Sequence, residues 1–288
     1  GAFMYWSGMY RIGQCEWDKA EADCHESVAL LTECGDQQES EIGRTILAAG
    51  LGFCGKVKAG LREATILTSA AEQRLNDQHV AWGLTFAARC HLAQGNADIA
   101  LEYLEQASES LRLGSDVTAL MMANGTHAAI LYDKGRKEEA LAILDTLMLD
   151  FGKDRAIPLA QCLDGYRWLA LVYLEEWRTG NQSRREHAMR ACKLLKQFAG
   201  YFPMATSAHL HAQAKLALCK NKPNATQLYE QALQAAQNLG MPGEADIVVS
   251  DMLNLPELSA DPEAYQRYSA TKISLREQLN SSDSKAHA

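Results

Sequence analysis

The amino-acid sequence predicts an all-α protein, a right-handed α-solenoid of about six helical hairpins followed by C-terminal capping helices. Three observations predict this class. Small residues recur every 40 positions, the apolar residues between them follow helical spacing, and glycines mark the turns. The recurring small residues form two columns, which are Ala20, Gly60, Ala100 and Ala140, and, twelve positions earlier, Gly8, Ala48, Ala88 and Ala128.

Each 40-residue unit has the pattern of two amphipathic helices joined by a tight turn. In the third unit Leu84, Ala88 and Leu92 share one helical face, and Ala100 and Leu104 share a face of the next helix. Helix ends favour a residue in the left-handed conformation, and glycine adopts it without strain. Glycine stands at this turn position in three units, as Gly55, Gly95 and Gly135.

The repeat predicts the domain organisation. An array over residues 1–240 is followed by capping helices over 241–280 and a disordered tail over 281–288. The register loosens after Phe151, and a loop near Thr179 is longer than the other turns. Proline is absent before position 158. The units of the array are predicted near residues 2–35, 36–75, 76–114, 115–152, 156–199 and 203–240.

Composition and charge exclude several classes of protein. The 288 residues are 47% hydrophobic and carry a formal net charge of −8, which argues against general nucleic-acid binding. No apolar run reaches the ~18 residues of a membrane-spanning helix. The eight cysteines form no CxxC pair, and no signal peptide opens the chain. We therefore expect a cytoplasmic protein that binds neither nucleic acid nor membrane.

One segment has the form of a nucleotide-binding loop. Residues 50–57, Gly-Leu-Gly-Phe-Cys-Gly-Lys-Val, match GxGxxG and nearly match a phosphate-binding loop. Both motifs need a preceding strand, whereas a helix is predicted here. Val57 also replaces the hydroxyl that would bind magnesium. Because Gly55 lies in the repeat column, we interpret the segment as a turn between two helices.

No pattern typical of a catalytic or metal site is found. His209 and His211 lie two residues apart on a predicted helix and point in different directions, so they cannot share a metal ion. No GxSxG nucleophile motif occurs. Acidic pairs such as Glu175 and Glu176 are interpreted as solvated helix faces. The sequence predicts no catalytic residue, metal ligand or cofactor.

The arrangement of Ala88, Gly95 and Ala100 resembles the tetratricopeptide repeat. The likeness covers about residues 2–240, with units of 40 rather than about 34 residues and without the usual proline after the second helix. Units of this length resemble the arms of signal-transduction ATPases of the maltose-activator type and of class III cyclase and ATPase proteins. The resemblance implies a non-catalytic sensor or scaffold arm of a larger signalling protein, with the chemistry performed by another domain.

The repeat also predicts a binding groove. In tetratricopeptide arrays the first helix of each hairpin lines the concave side, so its inward positions are candidates for contact with a protein or peptide partner, or with a small ligand. The alternative is that the same side chains pack between neighbouring units. The candidate groove residues are Trp82, Thr85 and Arg89 in the third unit, Met122 and Tyr132 in the fourth, and Arg167 in the fifth.

The N-terminal helix has an apolar face formed by Phe3, Tyr5, Trp6 and Met9. Since solenoids need a polar end cap, this face predicts an interface, with an upstream domain or with a second copy in a homodimer. Two further hypotheses stay open. One is a stand-alone peptide-sensing regulator or assembly adaptor that self-associates. The other is an enzyme with its site in the irregular second half, around residues 179–185.

Overall fold

Helices that pack in pairs along the chain build the whole of the described structure. The computed structural model describes residues 1–111, 116–150 and 159–281, and in these residues every regular element is helical. The α-helices are α1 Ala2–Gly13, α2 Trp17–Glu33, α3 Gln37–Phe53, α4 Val57–Gln73, α5 Asp77–Ala93, α6 Ala97–Leu111, α7 Val117–Asp133, α8 Lys137–Asp150, α9 Leu163–Arg178, α10 Arg185–Tyr201, α11 Thr206–Cys219, α12 Ala225–Asn238, α13 Pro242–Met252, α14 Pro256–Ser259 and α15 Pro262–Ser281.

The predicted helix ends are confirmed. Glycines in the left-handed conformation, with φ between +80° and +86°, close α3, α5 and α7. The same three helices, which are the first helices of their hairpins, each begin at a capping residue. Its side chain accepts a hydrogen bond from the third backbone N–H of that helix. These capping residues are Asp36 for α3, Asn76 for α5 and Asp116 for α7.

The glycine-rich segment at residues 50–57 is a turn. Gly50 and Gly52 lie inside α3, and Gly55 has φ +85° between α3 and α4. Val57 opens α4 and is fully buried. With a helix on both sides, the backbone N–H groups do not form the strand-to-helix cradle that binds phosphate.

First helices of successive pairs pack on one another through the array. The contacts run from α1 to α3, α5, α7, α9 and α11, so these helices line the inner, concave side. At the crossing of α7 and α9 the two backbones approach closely, and Gly125 and Gly165 face each other there. This right-handed solenoid confirms the predicted fold class.

The second half is less regular, as predicted. A left-handed Gly180 and a short 3-10 helix at 182–184 lengthen the connection between α9 and α10. Some sequence expectations concern residues outside the described part of the chain. These are the boundary between the third and fourth units at 114 and 115, the start of the fifth unit at 156 and the tail at 282–288.

The C-terminal helices return to the N-terminal half. Leu279 of α15 is buried with Val57 and Cys90. Trp17 of α2 donates a 2.7 Å hydrogen bond from Nε1 to the carbonyl oxygen of Leu239. The array is therefore closed across its concave side.

Within the three described segments, no helix combines the length and apolar character that crossing a bilayer requires.

Candidate functional site

Closure of the array forms a partly open cavity of about 950 Å³ on the concave side. Its walls come from α5, α7, α9 and α11 on one side and from α13 and α15 on the other. The volume lies near the upper end of the roughly 300–1,000 Å³ typical of ligand pockets. Apolar side chains from four of these helices line it, namely Leu92, Ala129, Trp168, Leu171 and Ile247.

A buried ion network occupies one end of the cavity. Asp164 accepts hydrogen bonds from both Arg89 and Arg167, and Arg167 also pairs with Glu244 of α13. Burial would raise the pKa of Asp164, but the two arginines hold it below its ordinary value. Burial also lowers the pKa of Arg167 to about 10. The Arg89 guanidinium lies 3.8 Å from the centre of the Phe53 ring, which stabilises it further.

A second charged cluster lies about two helical turns further along α9. Lys215 Nζ is 2.7 Å from Asp251 Oδ2 and 3.3 Å from Glu175 Oε2. His211 Nε2 is 2.7 Å from the same Asp251 oxygen. Despite burial, Lys215 and His211 hold the pKa of Asp251 below its ordinary value. Asp133 also lines the cavity. The residue as a whole is exposed, but partial desolvation of its carboxyl together with the nearby Asp251 raises its pKa.

Three of the six predicted groove residues line this cavity. They are Arg89, Tyr132 and Arg167. Tyr132 donates a 2.8 Å hydrogen bond to Glu176. Arg167 is only 2% exposed, so it acts inside the wall rather than on an open surface.

The other three predicted groove residues lie outside the described lining of the cavity. Trp82 stacks on His79 and donates to Asp116 at 3.1 Å. Thr85 and Met122 are buried between helices. Packing between helices therefore describes Thr85 and Met122, which corrects their predicted groove position, whereas a binding role for the half-buried Trp82 stays a prediction.

Several cavity residues were missed or misread in the sequence. Glu175 and Glu176 were interpreted as a solvated pair, but Glu175 binds Lys215, and Glu176 is 7% exposed and hydrogen-bonded. Lys215 and Asp251 carry no signal in the sequence, because they lie on helices 36 positions apart and meet only after the array closes. For Trp168 the sequence does carry a signal, because this aromatic residue directly follows the predicted groove residue Arg167.

The N-terminal face is smaller than predicted. Phe3 is 84% exposed and Trp6 49% exposed, whereas Met9 is half-buried. The predicted place of Tyr5 on this face is wrong, since Tyr5 is 3% exposed and donates a hydrogen bond to Glu39 of α3. Self-association through the exposed part of this face stays a prediction.

In the described part of the chain, no group of three or more His, Cys, Asp or Glu side chains is arranged to hold a metal ion. His211 turns to Asp251, and His209 points elsewhere on the same helix.

Acidification from pH 7 to pH 5 is expected to destabilise the protein through His211. Burial lowers its pKa below 6.5, although Asp251 opposes this and Lys215 and Arg167 reinforce it. The neutral ring donates from Nε2 to Asp251. In the unfolded state this histidine takes up a proton below about pH 6.5. The stability that the neutral His211 ring contributes is therefore complete above that pH, and it is lost as the pH falls toward the pKa of His211 in the folded state.

Urea unfolding between pH 7 and pH 5 measures this effect. His211→Gln keeps an amide donor and should reduce the slope of stability against pH by at most about 1.4 kcal/mol per pH unit. The exposed His25→Gln is the matched control. An unchanged slope in His211→Gln would contradict a neutral His211.

Comparison with known proteins places the chain by its fold. No protein-family model matches it, and no curated protein matches it in sequence. Among solved structures, it is similar to a Rap protein in complex with the competence and sporulation factor, with a TM-score of 0.74 and 13% sequence identity. The match covers 98% of this chain and 76% of that one. At this identity the likeness shows a shared fold, a tetratricopeptide-like helical repeat.

Proposed function

We propose that this chain is a non-catalytic repeat protein that binds a short peptide in the concave cavity. The observation that carries the proposal is the cavity itself, about 950 Å³ with a mixed apolar and polar lining and fixed charges at two levels. Such pockets orient a ligand by a few polar groups while apolar contacts supply affinity. The Rap protein of similar fold was solved in complex with the competence and sporulation factor, which supports a binding role for this chain.

The ion pairs at the cavity support binding rather than catalysis. Arg89, Arg167 and Lys215 are each engaged with carboxylates that lie on other helices or other turns. Such pairs hold the walls in position, and they leave none of these three cations free to take part in catalysis. The resemblance to sensor arms favours a role in a larger cytoplasmic signalling protein, where peptide binding would be passed to another domain.

Affinity selection from a random pentapeptide pool, read by mass spectrometry, tests the proposal. Ile247→Trp narrows the cavity and should reduce the retained peptide at least about tenfold, since the larger side chain takes part of the space for the ligand. The matched control is Ile273→Trp, on the exposed side of α15 and 60% exposed. It should retain the same peptides as the unchanged protein.

Thermal unfolding checks that Ile247→Trp folds, and Ser250→Trp, also in the cavity wall, provides a second blocking variant. Failure of the unchanged protein to retain any peptide would refute peptide binding. Equal retention by both blocking variants would place the site elsewhere.

A further inference from the structure

Several buried hydrogen-bond donors at the cavity wall have no acceptor, and two of them lie on neighbouring residues of α9. The indole Nε1 of Trp168 and the guanidinium Nε of Arg167 are both shielded from solvent, and neither finds an acceptor among the described residues. Both residues line the cavity, and the Arg167 guanidinium lies 4.6 Å from the Trp168 ring centre. A buried donor without an acceptor is unfavourable, and an oxygen carried into the cavity would relieve it. This end of the cavity therefore favours a ligand group that accepts hydrogen bonds.

The charges around these donors cancel. Arg89 and Arg167 face Asp164 and Glu244, so the network has no net charge. A ligand carboxylate would gain little there over a neutral carbonyl, because the two buried carboxylates repel it as the arginines attract it. The selective feature is therefore the donated hydrogen bonds, which a backbone carbonyl or a carboxamide accepts equally well.

The charges at the other cluster do not cancel. Three carboxylates of the cavity wall, Asp133, Glu175 and Asp251, face two cations, Lys215 and Arg178. The neighbouring His211 is neutral, as its lowered pKa indicates. Asp133 has no described cation within ion-pair distance, in contrast to the other two carboxylates. This end of the cavity favours a ligand cation.

The spacing of the two ends sets the length of the ligand. Trp168, Leu171, Val172 and Glu175 follow helical spacing along the cavity side of α9. Arg167 and Glu175 are eight residues apart, which corresponds to about 12 Å along the helix axis. An extended peptide covers that distance in about four residues, at roughly 3.3 Å each. Leu171 and Val172 lie between the two ends and would contact its side chains.

We propose that the cavity binds a peptide of four to five residues in one direction, with its amino terminus among Asp133, Glu175 and Asp251 and its last carbonyl groups at Trp168 and Arg167. This inference rests on the proposed function and adds the polarity and chemistry of the ligand. The free ammonium group is the charged feature that is recognised. The C-terminal end is recognised by hydrogen bonds alone.

The test uses the random pentapeptide pool in three forms: with free ends, N-acetylated, and C-amidated. Acetylation removes the ammonium charge and should lower the retained fraction at least about tenfold, since a charged hydrogen bond in a partly buried site is lost. Amidation keeps the acceptor oxygen and should change retention less than about threefold. A basic side chain bound in place of the amino terminus would leave acetylated lysine- and arginine-containing peptides bound, and this would overturn the proposed direction.

Two variants assign the ends. Asp133→Asn should weaken retention of free-amine peptides and leave that of acetylated peptides unchanged, and Asp98→Asn, exposed on α6, is its control. Trp168→Phe removes the unpartnered donor and should weaken retention of all three forms by about tenfold. Trp82→Phe makes the same chemical change outside the cavity.

Each failure has its own meaning. If no form of the pool is retained, the proposed function fails. If peptides are retained but amidation rather than acetylation abolishes binding, peptide binding stands and the direction is reversed. If neither modification matters and Trp168→Phe binds normally, the assignment of both ends is wrong.

Discussion

Gly165→Ala is expected to destabilise the protein by about 3 kcal/mol or more, because α7 and α9 cross with their backbones in contact. A Cβ atom at Gly165 would lie 2.5 Å from the carbonyl oxygen of Met121. One at Gly125 would lie 2.6 Å from the carbonyl oxygen of Asp164. Backbone atoms cannot move away by changing a rotamer, so the two helices must separate. Arg167 and Asp164 lie beside this crossing, so the cavity wall would move with them.

Urea unfolding measured by circular dichroism checks this prediction. The matched control is Gly200→Ala, on α10, where no described neighbour lies within 4 Å of the added atom. Alanine is the better helix former, so the control should be stabilised by about 0.5–1 kcal/mol. A loss of less than about 0.5 kcal/mol in Gly165→Ala would show that the crossing tolerates a side chain.

Arg167→Met is expected to cost about 3–5 kcal/mol, since it removes one partner from a buried ion network. Arg167 is 2% exposed and neutralises Asp164 of its own helix and Glu244 of α13. Methionine preserves much of the volume but leaves the Glu244 carboxylate buried without its cation. The damage should therefore be greatest where α13 closes the cavity.

A double-mutant cycle isolates the electrostatic part. Arg167→Met combined with Glu244→Gln removes the uncompensated charge and should recover a large part of the loss, while the pair of Arg89 and Asp164 persists. Arg136→Met is the control, because Arg136 and Glu139 form an exposed pair on the surface, and no measurable change is expected. If the two losses in the cycle are simply additive, Arg167 acts by packing rather than by charge.

The hairpins and their turns were predictable because they depend on short-range patterns. Small residues in the repeat columns, such as Ala48, Ala88 and Ala128, are fully buried where two helices meet. The glycines and capping residues act within one turn of helix, so sequence spacing is enough to place them. Short-range patterns also identified residues 50–57 as a turn.

Sequence periodicity assigned only some of the predicted groove residues to the cavity, because a phase error of one position moves a residue by 100° around the helix. Arg89, Tyr132 and Arg167 line the cavity, whereas Trp82, Thr85 and Met122 contact neighbouring helices. Tyr5 similarly turns inward to Glu39. Periodicity identifies an apolar stripe but not which of two adjacent helices covers it.

By itself, the sequence determined the helical class, the 40-residue period, the turns and the concave location of three cavity residues. Only the tertiary structure decided that the array closes, with Leu279 against Val57 and Cys90, and that Lys215 of α11 meets Glu175 and Asp251. The physical reason is that closure is the sum of small rotations between successive units. No local pattern encodes that sum, and the cavity with its two unlike ends exists only as its result.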